Sequence, residues 1–319
     1  MVSGANVRFA TALLVSLTCF GVQQAHAQAE SEDPIRFAIN DWSSQLINSH
    51  IMGAVLQQAG YNVEYVQADA AAQFTGLERG DLHVQMEVWS TAQGELFHQG
   101  VSSGKLVDLG ETGMAAIEEW WYPLYMKEQC PGLPDWKALK ACSALFATAE
   151  TAPKGRYVGA PPNWGGYDDE RVAALDLNFE VIHAGSDAAM FAELDSAYTR
   201  KAPVVVWVWA PHWVPTKYKG EWVEFPKYEP ACYEDAAWGV NPNAKYDCGK
   251  PRGPIWKTAW AGGKAKWPGA YEAISHFEST NDEQSALITE VEINKRPVDE
   301  VVSEWMSKNE NRWKAWLGK

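Results

Sequence analysis

The sequence predicts an α/β architecture with largely parallel sheets, and three observations carry that expectation. Short apolar strand patterns alternate along the chain with amphipathic helical ones. One of them, "PVVVWVW" (residues 203–209), is apolar without a break, as strands covered on both faces are. The 319 residues are also enough for two domains, each with its own core.

The elements follow in order. "IRFAIN" (residues 35–40) reads as a strand, followed by a helix with Ile47, Ile51, Ala54 and Val55 on one face and Gly60 as its stop. "NVEYVQA" is a second strand. "LHVQMEVW" alternates, with Leu82, Val84, Met86 and Val88 on one face and His83, Gln85, Glu87 and Trp89 on the other. Further strands are "WWYPLYM", "RYVGA" and "FEVIHA". Helical patterns occupy residues 135–147, 166–175 and 187–200, and two or three more helices run from 281 to 317. No repeat of fixed period and no low-complexity linker interrupts the chain.

The first 27 residues read as an export signal. Arg8 supplies the positive start, "FATALLVSLTCFGV" the apolar middle, and Ala25 to Ala27 ("AHA") the small-residue cleavage site. That apolar stretch is too short for a membrane span. The formal net charge is −14, and residues 1–27 contribute only Arg8 to it. Such a surface disfavours nucleic acid and anionic membrane as partners. Besides Cys19, four cysteines form two local pairs, Cys130 with Cys142 and Cys232 with Cys248. Export and an even count favour disulfides; of the three connectivities, proximity favours the local one. A metal site competes, but no CxxC or HxxxH spacing accompanies these residues.

The tryptophans, 17 in all, carry the functional signal. Trp42 follows the first strand, Trp89 ends "LHVQMEV", Trp164 follows "RYVGAPPN", and Trp209 ends "PVVVWV". Four indoles therefore fall at or just past strand carboxyl ends, the edge where open α/β sheets bind ligands. Core-filling tryptophans belong mid-strand or on helix faces, where Trp136, Trp305, Trp313 and Trp316 fall. Convergent aromatic faces without nearby Arg or Lys suit a cation with an apolar skin, such as a quaternary ammonium. Each desolvated ring contact is worth roughly 1–2 kcal/mol and each buried methyl about 0.8. The gross gain of roughly 6–10 kcal/mol faces an association cost of at least about 4. Micromolar binding needs about 8 net, so a polar handle must add to the cage.

"NDWSSQ", "VQMEVWSTAQ", "APPNWGG" and "VWVWAPHWV" resemble the ligand-cage segments of the glycine betaine/choline-type substrate-binding proteins of ABC importers, a group that includes the trimethylamine N-oxide binders. The resemblance spans nearly the whole mature chain. It implies a two-lobed periplasmic-binding-protein fold, each lobe a mostly parallel sheet flanked by helices, with two hinge crossings. Residues 35–115 and 213–319 would form lobe I and residues 116–212 lobe II. By the same resemblance Trp89, Trp164 and Trp209 match cage positions, Trp42 a fourth wall of some members, and Tyr122 an aromatic of choline binders. The chain departs from the betaine-type pattern where Gly165-Gly166-Tyr167 replaces a Cys-bearing turn. The protein would be a periplasmic monomer, without cofactor or metal, delivering a small methylated amine to an importer membrane subunit.

Three groups compete for the polar handle. Gly165 and Gly166 open a helix, whose N–H groups favour an anion such as a betaine carboxylate, or simply form a tight turn. His212 lies three residues past Trp209, where a solvated loop histidine is the plain reading. Glu118-Glu119 precedes Trp120-Trp121-Tyr122, and a carboxylate beside aromatics suits a cation or hydroxyl donor. With Glu118 as handle, trimethylamine N-oxide or choline is favoured over glycine betaine. Asp168-Asp169-Glu170 reads as charge on a helix's first turn. A Trp-lined carbohydrate module or glycosidase is the other reading. Against it, no GxSxG, HExxH or P-loop is present, and adjacent Glu118 and Glu119 point to opposite strand faces.

Overall fold

A computed structural model describes residues 29–164 and 166–318, together with residues 1, 2 and 4. The export-signal expectation, Cys19 and Gly165 lie outside the described residues.

Nine strands form one sheet in the order β2-β1-β3-β9-β4-β7-β5-β6, with β8 pairing β4 off that path. The first half opens with β1 (Ile35–Ile39), helix α1 (Ser43–Gln58) and β2 (Val63–Gln67), parallel to β1 with Ile35 opposite Val63. Helix α2 (Ala72–Arg79) leads to β3 (Val84–Trp89), parallel to β1 on its other side, and α3 (Gly94–Ser102) follows. β4 (Leu106–Pro123) is 18 residues long and belongs to both halves. Its first part pairs antiparallel with β9 (Gly253–Trp260), and from Ile117 onward its partner is β7 (Val206–Ala210). In the second half β5 (Gly155–Gly159) lies parallel between β6 (Phe179–His183) and β7. Each half thus holds three parallel strands, and β4 joins them.

The strand β3 departs from the two-faced alternation read in its sequence: all six residues of Val84–Trp89 are buried. Helices cover both faces, so the polar positions are satisfied internally. Gln85 exchanges amide hydrogen bonds with Asn40 and Gln45, and Asn40 with Gln73. The expected helix over 135–147 divides into Trp136–Ala141 and a 3₁₀ turn, Ser143–Phe146. The helix expected from Gly166 begins at Asp168, after Tyr167 in the left-handed region.

The first part of β4 and the whole of β9 and of β8 (Gly220–Trp222) lie outside the strands expected from the sequence, for identifiable reasons. The first part of β4 carries Gly110 and Gly113 at positive φ and two register shifts, which erase the period of two. β9 carries Lys257 at a fully buried position. Its ammonium donates to the carbonyls of Glu111, Ser275 and Phe277, and burial pushes it down to about 8. Residues 213–252 also differ from the expected lobe assignment. β8 (Gly220–Trp222) pairs with Trp121–Pro123 of β4, and Asn241 donates to the Ala174 carbonyl, both in the second half. The chain returns to the first half only at β9. This stretch is loop-rich and offers no periodic apolar pattern from which its packing could be read.

Cys130 is bonded to Cys142 and Cys232 to Cys248, the local connectivity. The second loop is fixed to the sheet by buried charges. Arg171 donates to the Cys248 carbonyl at 2.9 Å and to Glu119 at 2.6 Å, and lies 3.5 Å from Asp168. Asp168 accepts from the Trp120 indole, so besides sitting in a helix's first turn it is part of the interior. Lys250 donates its backbone N–H to Glu119 and its ammonium to the Gly166 carbonyl, 3.7 Å above the Trp207 ring. Trp305, Trp313 and Trp316 are buried among the C-terminal helices, as core tryptophans.

Two outcomes follow from this packing. The chain after residue 28 should show no titratable thiol when denatured without reductant; four thiols, or stoichiometric zinc, would refute the bridges. Arg171→Ala leaves Glu119 buried without its cationic partner and Asp168 with Lys250 alone, and should cost about 3–5 kcal/mol in a urea titration. A loss below about 1 kcal/mol would show that water reaches the pair.

Candidate ligand-binding site

The four strand-end tryptophans meet at one place. Trp42 sits in the β1–α1 turn as the residue before the helix, Trp89 ends β3, Trp164 lies in the 3₁₀ turn after β5, and Trp209 lies in β7. The Trp42 and Trp164 ring centroids are 5.8 Å apart at 71°, and those of Trp164 and Trp209 are 5.3 Å apart at 77°. Around them a pocket is lined by the four indoles with Ala70, Ala92, Gln93 and Glu118. It is a partly open cavity of about 30 Å³, and among the described residues no Lys or Arg lines it. Alanine at 70 and 92 keeps the walls close.

Each indole is held from behind. Trp42 and Trp89 both donate their ring N–H to Oε2 of Glu87, at 3.0 and 3.1 Å. The same oxygen accepts from Ser44, and Oε1 accepts from Asn48. Trp164 donates to Asp41 at 2.9 Å. That bond joins the halves of the sheet, because Asp41 follows β1 and Trp164 follows β5. Trp209 packs against Phe191 and His212, with ring centroids at 5.2 and 4.4 Å.

Glu118 stands on β4 one residue past the change of partner, opposite Trp209 in register. Its Oε2 is shielded from solvent and has no hydrogen-bond partner among the described residues. Burial pushes its carboxyl up, while the Lys250 ammonium and the Thr91 hydroxyl pull it back. Glu119 faces the other side of the strand and is taken up by Arg171 and Lys250. The two carboxylates do not face one space.

The remaining candidates lie elsewhere. Tyr122 shares a strand face with Glu118, but four residues on means roughly 13 Å. It is fully buried, outside the pocket, and donates to Glu221 of β8 at 2.8 Å. His212 is neither solvated nor in the pocket. It is 2% exposed behind Trp209, its Nε2 is 3.6 Å from Glu292, and burial lowers its pKa. Gly166 adopts φ +126° and its carbonyl is bound by Lys250; a Cβ there would meet Trp207 and Lys250 at about 2.5 Å. The glycine is required by the turn.

The sequence reading passed over Gln93 and Glu87 as site residues. Gln93 is buried in the pocket wall with its Oε1 unpartnered, brought there because its N–H closes a turn on the Trp89 carbonyl. Its place four residues after Trp89 was the available signal. Glu87 falls on the strand face shared with His83, Gln85 and Trp89, and nothing local marks it as the meeting point of two indoles.

Residues 33–308 match the family described as the substrate-binding domain of ABC-type glycine betaine transport systems. A trimethylamine N-oxide-binding protein of Pelagibacter ubique (strain HTCC1062) is 32% identical over 96% of this chain and 97% of its own. A glycine betaine/L-proline-binding protein of Borrelia burgdorferi superposes with a TM-score of 0.69 at 19% identity, covering 89% of this chain and 96% of that one. A lactococcal protein in its closed conformation with glycine betaine gives 0.67 at 17%, covering 90% and 100%. At those identities the structural likeness is one of fold, a two-lobed α/β binding protein. Four indoles at strand ends between two sheet halves, and a family match over residues 33–308, lead to one assignment: the chain belongs to the substrate-binding proteins of ABC-type glycine betaine importers.

Proposed function

We propose that this protein captures trimethylamine N-oxide or choline outside the cytoplasm and passes it to the membrane subunit of an ABC importer. The observation that carries the reading is the unpartnered, buried oxygen of Glu118 beside four indole rings in a pocket without a cationic side chain. The rings take the methylated ammonium by cation–π attraction. Glu118 takes the oxygen end, either sharing a proton with an N-oxide or accepting from a hydroxyl. A betaine carboxylate would set like charges against each other in a dry site, at a cost of several kcal/mol. The close approach of the four rings favours the compact N-oxide. The identity with the Pelagibacter protein supports the same solute.

The rest of the reading follows from this role. Residues 1–27 direct export to the periplasm, and the protein binds as a monomer with no cofactor, metal or catalysis. No described helix is long and apolar enough to cross a membrane. Lobe I comprises residues 35–115 and the chain from β9 onward, lobe II the stretch between, and the crossings are β4 near Ile117 and the entry to β9. The glycosidase reading loses ground because Glu118 and Glu119 serve opposite sides of β4.

Calorimetric titration of trimethylamine N-oxide, choline, carnitine and glycine betaine tests the assignment. The first two should bind most tightly, and Glu118→Gln should narrow the gap to glycine betaine. Glycine betaine binding tightest, with Glu118→Gln indifferent, would refute it. The pH dependence separates the favoured pair. A complex that holds a proton between Glu118 and an N-oxide weakens as pH rises through the raised carboxyl pKa, whereas choline binding to ionised Glu118 strengthens over the same interval. Trp89→Ala, Trp164→Ala and Trp209→Ala should each cost about 1–2 kcal/mol of binding. Trp305→Ala serves as the control: an equal loss there would sink the cage. Solution scattering should show compaction when solute binds.

A further inference from the structure

A carboxylate that lines no part of the pocket stands behind half of it. Glu87 is completely buried, and all its hydrogen-bond partners in the structure are donors: the indole N–H groups of Trp42 and Trp89, the Ser44 hydroxyl and the Asn48 amide. An indole nitrogen can only donate. Two of the four partners are therefore fixed in the sense that suits an acceptor without a proton, which is the ionised group. Burial pushes the carboxyl up and these four donors pull it back. No Lys or Arg is hydrogen-bonded or ion-paired to Glu87 among the described residues, so its charge is not spent on a neighbouring cation.

We propose that Glu87 is a positioning and charge-supplying residue: an ionised carboxylate that never touches the solute, aims two of the four rings through their N–H groups, and makes the pocket prefer a positively charged trimethyl head over an uncharged one of the same shape. The inference rests on the reading of the pocket as a trimethylammonium site. One carboxylate oxygen serving two rings fixes their mutual angle, because neither indole can turn without losing its acceptor. An anion hydrogen-bonded to the edge of a ring also polarises it, raising the negative potential over the face that meets the cation. A cation seated on these rings lies roughly 8 Å from the carboxylate, across closely packed aromatic matter. At that range in a protein interior the charge alone accounts for a preference of about tenfold or more. Asn48 and Ser44, at successive turns of α1, complete the cradle on the side away from the pocket.

Trimethylamine N-oxide and tert-butanol have the same heavy-atom skeleton, with carbon in place of nitrogen in the alcohol. Wild-type protein and Glu87→Gln are titrated with both, following indole fluorescence. Glutamine keeps the size and one acceptor but removes the charge. The N-oxide should weaken by about tenfold or more while tert-butanol changes less than about twofold. Equal weakening of both would reduce Glu87 to packing, and no weakening of either would remove it from the site; both results overturn the proposal. In the solute-free protein, the ¹H–¹⁵N indole resonances of Trp42 and Trp89 should move in Glu87→Gln while that of Trp164, held by Asp41, stays. Unmoved Trp42 and Trp89 signals would refute the hydrogen-bonded anchor without reference to any solute. Asn48→Ala is the second variant. It removes one donor, so the pH below which the charge preference is lost should rise; an unchanged profile counts against an ionised Glu87. Wild-type protein that binds no trimethylammonium solute would sink the functional reading and the selectivity with it, leaving the indole shifts as the measure of the anchor.

Discussion

The whole arrangement hangs on one strand changing its hydrogen-bond partner. β4 runs 18 residues without interruption, yet at Ala116 it pairs with β9 and at Ile117 with β7. The switch of partner marks the place where the two halves of the sheet meet. The candidate site gathers at that seam. Glu118 sits one residue beyond it, Trp209 lies opposite on β7, and the two walls carried by the first half face the two carried by the second.

A second constraint is the indole N–H. Buried donors without acceptors are costly, and a pocket walled by four tryptophans buries several of them. Glu87 takes two and Asp41 takes one. The acceptors are acidic side chains, not backbone carbonyls, so satisfying the donors also places negative charge around a site read as cationic in preference. Behind them Arg171 and Lys250 neutralise Glu119 and Asp168 on the far side of β4. Among the described residues Glu87 and Glu118 near the pocket have no ion-pair partner, while Glu119 and Asp168 away from it are paired with Arg171 and Lys250.

The sequence made the α/β class and the convergence of Trp42, Trp89, Trp164 and Trp209 legible, because strand ends can be counted and tryptophans stand out there. It also separated Glu118 from Glu119 by the simple period of a strand. It could not show that Tyr122 is covered by β8, since that pairing depends on a three-residue strand in a loop-rich region with no pattern of its own. Nor could it place His212 against Glu292, a contact eighty residues distant in the chain. Glu87 was hidden for the opposite reason. It follows the local alternation of β3 faithfully, and only the helix packed over that face turns an outward position into a buried one.

Trp164 is both a wall of the pocket and a tie between the halves, through its bond to Asp41 and its edge contact with Trp42. Separating the lobes therefore dismantles the container at the same moment as it opens the door. On the proposed binding mode, release of the solute needs no gap between intact walls, because the four-indole wall is split as the lobes part. A transporter that pries the lobes open thereby removes affinity at the same stroke, with no separate signal needed. The same indole loses its Asp41 and Trp42 neighbours as the lobes part, so the protein carries a built-in optical gauge of its own closure.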